Sequence, residues 1–218
     1  MRGKGLLVMW LCLVLLSLPV SYALAGGGAL YSVVARDAST LGQSATGTHG
    51  HNYVMSDPAV VLGSFHVSSL YVDHNGTGYN FAEVGWCVHR TLLGRSLYAF
   101  CAYSLDGNYT HRHYGGLISY NSNHDWTVRH YSGTYWRWYL DGSELATVDL
   151  KGKFTYGYSL ASSERNNSGD TNYSHFWGLQ DRNSSGVWYS WSNLSQWKDN
   201  DPDYRLNKVS NTECYMQL

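Results

Sequence analysis

Glutamate is scarce in this 218-residue chain, occurring only at positions 83, 144, 164 and 213, so each one is worth reading for chemistry. Glu83 opens the segment Glu83-Val84-Gly85-Trp86-Cys87-Val88. Its alternation reads as a strand that sends Val84, Trp86 and Val88 to a core and keeps Glu83, Gly85, Cys87 and His89 on the other face. A glycine beside a glutamate on one face leaves floor space for a ligand. The segment from Ser96 to Ser104 would pair with this strand through the loop Thr91-Leu92-Leu93-Gly94-Arg95. Centred on Gly94, that hairpin sets Tyr103 opposite Gly85. Taken alone, an acidic residue at a strand end is most simply a solvated one. Two histidine pairs, His49/His51 and His111/His113, have the i, i+2 spacing that puts both rings on one strand face. A metal would need a third ligand, and the pattern supplies none. The sequence contains no H-E-x-x-H, C-x-x-C, G-x-S-x-G or phosphate-loop motif. Neither a metal nor a cofactor is expected.

The elements that must position these residues are strands. The chain has 19 Tyr, 9 Trp and 23 Gly but only 3 Pro, and helix formers are thin. From Val60 onward, short alternating runs are separated by turn signals at Asp73-His74-Asn75-Gly76, Asp106-Gly107-Asn108 and Asp141-Gly142. The last is a strong hairpin signal, because Tyr135 to Leu140 and Glu144 to Leu150 both alternate. Further strands are predicted over Ser64 to Val72, Gly115 to Tyr120, Trp126 to Tyr131, Phe154 to Ser162, Ser174 to Gln180 and Gly186 to Trp191. The expectation is an all-β, antiparallel two-sheet β-sandwich of jelly-roll or concanavalin-like type over residues 57–218, with a closed barrel as the rival. Residues 26–56, rich in Gly, Ser, Ala and Thr, read as a flexible N-terminal arm contributing at most an edge strand.

Residues 1–25 read as a secretory signal. Arg2 and Lys4 precede an apolar run from Leu6 to Val20, and Ala23-Leu24-Ala25 forms an A-x-A cleavage site. The mature product is therefore expected to be extracellular, with no membrane partner. With 15 Lys+Arg against 16 Asp+Glu there is no basic footprint for nucleic acid. An oxidising compartment makes the cysteines readable. Cys87 and Cys101 lie equally far from Gly94, so the Gly94-centred hairpin opposes them within disulfide range and leaves Cys214 unpaired. Sequons at Asn75, Asn108, Asn166, Asn172, Asn183 and Asn193 would mark glycan-bearing surface loops in a eukaryotic product.

The stretch Ala82-Glu83-Val84-Gly85-Trp86, followed by Ser96-Leu97-Tyr98-Ala99-Phe100 and Asp106-Gly107-Asn108-Tyr109, resembles the core of the neprosin domain. Neprosins are secreted β-sandwich glutamic peptidases that use two glutamates and no metal. Their second glutamate follows a Trp-containing hairpin and two small residues. Here Trp136-Arg137-Trp138 leads through Asp141-Gly142 to Ala161-Ser162-Ser163-Glu164, and Ser174-His175-Phe176 is similar to a segment downstream of that glutamate. Ser162-Ser163 stands where the family usually has glycines, and the family's long pro-domain has no counterpart before the first predicted strand. Glu164 shares its phase with Tyr156, Tyr158 and Leu160. Either those aromatics line a groove or a bulge near Ser162 changes the facing.

The resemblance implies a peptidase whose catalytic pair is Glu83 and Glu164, with Gly85, Tyr103 and Tyr158 in the substrate groove. Two close carboxylates share a proton, one activating water while the other donates, which implies an acid pH optimum. The alternative is a secreted carbohydrate-binding sandwich without catalysis, its sugar rings stacked on the aromatic run Trp188-Tyr189-Ser190-Trp191 through Trp197. The expected partner is accordingly a peptide or a polysaccharide, while the oligomeric state has no signature in the sequence.

Overall fold

A computed structural model describes residues 31–217. The predicted signal segment, residues 1–25, lies outside them. Fifteen strands occur among the described residues: β1 (Tyr31–Asp37), β2 (Gly47–Val54), β3 (Phe65–Asp73), β4 (Phe81–Thr91), β5 (Gly94–Leu105), β6 (Asn108–Gly115), β7 (Ser122–Ser132), β8 (Tyr135–Leu140), β9 (Ser143–Asp149), β10 (Tyr158–Arg165), β11 (Ser174–Arg182), β12 (Trp188–Ser190), β13 (Leu194–Asp199), β14 (Arg205–Lys208) and β15 (Cys214–Gln217). They form two antiparallel sheets. One runs β13-β1-β10-β3-β4-β5-β6 and the other β14-β15-β11-β2-β7-β8-β9, with β12 attached to β11. The fold is an all-β sandwich of two separate sheets, so the barrel alternative falls.

The core between the sheets is aromatic. Val84, Trp86 and Val88 of β4 meet Trp126 and Val128 of β7 and Trp136 and Trp138 of β8, all buried. The inward set of β4 is thus the one its alternation predicts. Asp141 (φ 49°) and Gly142 (φ 75°) close the β8–β9 hairpin, and Asp106 (φ 53°) and Gly107 (φ 78°) close β5–β6. In both, the two central residues carry the positive φ that a twisted two-residue hairpin requires.

The segment from residue 31 to 56 is not a loose arm. β1 lies between β10 and β13, and β2 between β11 and β7. Its glycines mark close packing rather than freedom. A Cβ on Gly50 would stand 2.8 Å from Leu179 Cδ2, and one on Gly47 would stand 2.8 Å from Arg129 Cβ. The predicted strand over Gly115 to Tyr120 is also displaced. The chain pairs over Asn108–Gly115 instead, as β6.

The β4–β5 register departs from a Gly94 centre. The pairing is Thr91↔Gly94, with Leu92 and Leu93 at the exposed tip. Thr91 Oγ1 accepts the Leu93 amide at 3.1 Å, and Gly94 takes φ 125°. Cys87 therefore faces Tyr98, while Cys101 faces Val84. The offset is odd, so it carries Cys101 to the opposite face of the sheet. Cys101 packs in the inter-sheet core and Cys87 with Phe65, Val67 and Phe100 on the outer face. The predicted disulfide is thus absent, and Cys87, Cys101 and Cys214 are all buried free thiols.

Candidate active site on the outer face of the seven-stranded sheet

Glu83 and Glu164 lie on one face of one sheet. Glu83 on β4 pairs with Tyr71 on β3, which pairs with Leu160 on β10; Glu164 on β10 pairs with Val67, which pairs with Cys87. The two acids therefore sit on a diagonal across three adjacent strands, on the side away from the inter-sheet core. Midway along that diagonal, Ser69 on β3 pairs with both Gly85 and Ser162. Ser69 Oγ is 2.9 Å from Ser162 Oγ, and Ser162 Oγ donates to Glu164 Oε1 at 3.1 Å. Two hydroxyls thus span the space between the acids. β10 carries no bulge along its pairing with β3, so Tyr158 and Leu160 share Glu164's face. Of the two ways to reconcile the phase of Glu164, aromatics lining that face is the observed one.

Both acids are desolvated, with Glu83 0% and Glu164 3% exposed. Burial raises the Glu83 carboxyl well above its ordinary range, and the charge of Glu164 adds to the rise. The Ser69 hydroxyl beside it offsets part of this, but neither Glu83 oxygen has a hydrogen bond of ordinary geometry. The hydroxyl of Tyr109, aimed at the same region from β6, is also buried without a hydrogen-bond partner. Burial raises the Tyr109 phenol well above its usual value, with Glu83, Cys87 and Glu164 adding to it. The ring of Tyr109 is partly exposed and packs against both outer-face apolar clusters. From below, Trp138 of the other sheet donates its indole N–H to the Glu83 carbonyl at 2.8 Å. This bond ties the backbone of the buried acid to the inter-sheet core.

The expected groove residues divide. Tyr158 is on the acid face, its ring 5.1 Å from that of Trp197. Tyr103 is not, because the Thr91–Gly94 turn sets it opposite Ala82; its ring lies 6.2 Å from Trp138, on the inter-sheet side. Phe100 takes the place opposite Gly85. Gly85 offers no floor space either. A Cβ there would stand 2.2 Å from the Ser68 carbonyl oxygen and 2.7 Å from Ser69 Cα, so the glycine serves close approach of β3. Spacing alone did not reveal the Ser69–Ser162 pair, Tyr71 or Tyr109. The available signal was the adjacent hydroxyl pair Ser68-Ser69 between the apolar Val67 and Leu70.

The other singled-out residues divide between the two sheets. His111 and His113 share the face of Tyr109 on β6, His111 stacked on the Tyr109 ring at 5.5 Å and tilted against His113 at 4.7 Å, with His113 Nε2 3.9 Å from Cys87 Sγ. Burial, then His111 and His89, lowers His113 to about 4. His49 and His51 sit on the opposite sheet, His51 stacked on Trp177 at 5.3 Å. Among the described residues, no group of three or more His, Cys, Asp or Glu is placed to hold a metal. Of the C-terminal aromatic run, Trp191 is buried in the core, Trp197 packs beside Tyr158 under Arg36, and Trp188 borders an open cavity. The sequon at Asn172 is no surface loop: its side chain accepts from Ser163 and donates to Asp201 at 2.7 Å, fully buried.

No family model matches the sequence, and no curated protein matches it. Solved structures do. Scytalido-glutamic peptidase bound to a peptide-based transition state analog superposes with TM-score 0.60 at 11% identity, over 88% of this chain and 99% of that one. SCP-B, a member of the eqolisin family of peptidases in complex with the tripeptide Ala-Ile-His, gives TM-score 0.54 at 12% identity, over 86% and 96%. The chain has a glutamic-peptidase-like fold.

Proposed function

We propose that this protein is a secreted, metal-independent acid peptidase that activates water with Glu83 and Glu164, akin to the neprosins. The observation that carries the reading is the diagonal itself: two of the chain's few glutamates, desolvated on one sheet face, with Ser69 and Ser162 between them. Neighbours that are glutamic peptidases by fold support it, and a peptide is the substrate class.

The roles follow from the environments. Glu83, held neutral by burial and by the charge of its partner, is the acid. Glu164 is the base: it takes a proton from the attacking water as the hydroxyl oxygen bonds to the scissile carbonyl carbon. Glu83 gives its one proton to the carbonyl oxygen, and the proton gained by Glu164 then passes to Glu83 through Ser162 and Ser69. Glu83 hands that proton to the amine nitrogen as the C–N bond breaks, and a hydroxyl proton of the collapsing gem-diol returns Glu83 to its neutral form. Tyr109, whose ring covers the acids from the edge strand, is the side chain that must swing aside to admit a peptide. Activity is lost once the pH rises far enough to ionise Glu83.

The test is digestion of casein at pH 3–5 by the purified protein and by Glu83→Gln and Glu164→Gln, with folding checked by circular dichroism. The expected result is proteolysis by the parent and none by either variant. Retained activity in a variant removes that residue from the mechanism, and no proteolysis by the folded parent overturns the reading. Secretion is checked by N-terminal sequencing of protein from the medium, which should begin at Gly26.

A further inference from the structure

The opposite outer face of the sandwich carries a second feature, which the peptidase reading does not use. A cavity of about 260 Å³ opens on the eight-stranded sheet, bordered by His49, Asp125, Arg129, Tyr139, Gln180 and Trp188. Alternation fixes its facing. Trp126, Val128 and Trp138 point into the core, so Asp125, Thr127, Arg129 and Tyr139 point outward. Trp188 and Tyr139 supply flat aromatic walls. Arg129 lies over the Tyr139 ring, 5.0 Å from its centroid, and donates to the Tyr139 hydroxyl at 2.9 Å. His49 is edge-on to Trp188 at 5.7 Å, and its Nδ1 is 2.9 Å from Thr127 Oγ1 and 3.1 Å from Asp125 Oδ1. With the imidazole bonded to Thr127, Asp125 Oδ1 is left without a hydrogen bond although the atom is buried.

We infer that this cavity binds one neutral sugar ring of a glycan. Its aromatic walls match the C–H face of a pyranose, which is apolar, flat and rimmed by hydroxyls. The rim supplies both senses of hydrogen bond: Asp125 accepts, while Arg129 and Gln180 donate. An anion would meet the Asp125 carboxylate, and a cation would meet Arg129, whereas a polyol satisfies both groups. The strands beneath the cavity, β2, β7 and β8, are each paired on both sides and offer no edge to an extended peptide. The volume lies below the range of about 300–1,000 Å³ that holds drug-sized ligands, which fits a single ring.

The test is saturation-transfer NMR of the intact protein with methyl β-D-glucopyranoside, methyl β-D-galactopyranoside, methyl α-D-mannopyranoside and N-acetylglucosamine. At least one is expected to receive saturation at its ring C–H protons. Trp188→Ala should weaken that binding by about tenfold or more, the equivalent of one lost stacking contact. Asp125→Asn, which keeps its shape, should weaken it as well. Glu164→Gln, on the other face, should leave it unchanged whether or not the protein is a peptidase. The inference is overturned if none of the four sugars receives saturation, if folded Trp188→Ala and Asp125→Asn bind as the parent does, or if Glu164→Gln abolishes binding.

Discussion

Replacing Asp181 with Asn should change how the protein's stability depends on pH, and by an amount the structure sets. Asp37 ends β1 in one sheet and Asp181 lies on β11 in the other, so this buried carboxyl pair links the two layers. Asp37 is well supplied with donors: Oδ1 accepts the amides of Ser39 and Asn193 at 3.0 Å, and Oδ2 accepts the Ser39 hydroxyl at 2.7 Å. Burial alone would raise it, but the neighbouring Asp181 carboxyl and then these donors leave it below the usual carboxylate range, although neither Asp181 oxygen has a hydrogen bond of ordinary geometry. Asp181 has the opposite fate. Burial, with Asp37 adding to it, raises Asp181 to about 8 despite the nearby Ser159 and Trp191. The pair therefore shares one proton, held by Asp181.

A carboxyl raised in the folded state stabilises fully below its unfolded value, and that stabilisation is lost as the pH climbs through the folded one. For Asp181 the window runs from 3.8 to about 8. At ~1.4 kcal/mol per pH unit, crossing it costs about 6 kcal/mol. This is comparable to the whole stability of an ordinary domain, about 5–15 kcal/mol. Asn keeps the shape and cannot ionise. Urea unfolding followed by tryptophan fluorescence from pH 4 to 8.5, on parent and Asp181→Asn, isolates the effect. Groups such as His66, which burial lowers to about 4, act alike in both proteins and cancel in the difference. Across that window the parent should lose ~1.4 kcal/mol per pH unit relative to the variant. Parallel stability curves across that window would refute the shared proton.

Gly85→Ala should cost about 1–3 kcal/mol, because its Cβ would stand 2.2 Å from the Ser68 carbonyl oxygen and the two strands must part; a shift in urea midpoint reads it. Arg165 donates to Asp201 through Nε at 2.8 Å and Nη2 at 2.6 Å, and to Asp203 at 2.6 Å, with Arg165 and Asp201 buried. Arg165→Met leaves the Asp201 charge uncompensated and should cost about 3–5 kcal/mol in the same assay. Thiol titration should find Cys87, Cys101 and Cys214 unreactive in the native protein and all three reactive in denaturant. Burial raises each thiol, Cys214 to about 12, and an unreactive pair after unfolding would restore the disulfide.

The sequence by itself determined the class of fold and the facing of its central strand. Apolar alternation has a period of two, so Val84, Trp86 and Val88 had to share a side, and Asp-Gly turns name their hairpins through the positive φ they tolerate. It also singled out Glu83 and Glu164, through rarity and motif likeness. What it did not determine was register. A turn closing on Thr91 and Gly94 rather than centring on Gly94 is a local choice, yet it moved Tyr103 and Cys101 to the other face. Glycine in β2 and at position 85 looked like freedom or open space in one dimension. In three it marks strands and side chains packed too close for a Cβ. The joining of the acids was tertiary as well. Glu83 and Glu164 are far apart in the chain, and only the placement of β3 between β4 and β10 sets Ser69 and Ser162 in the gap between them. The same holds for Asp37 and Asp181, whose shared proton exists because two sheets close over them and exclude the water that would otherwise let both ionise.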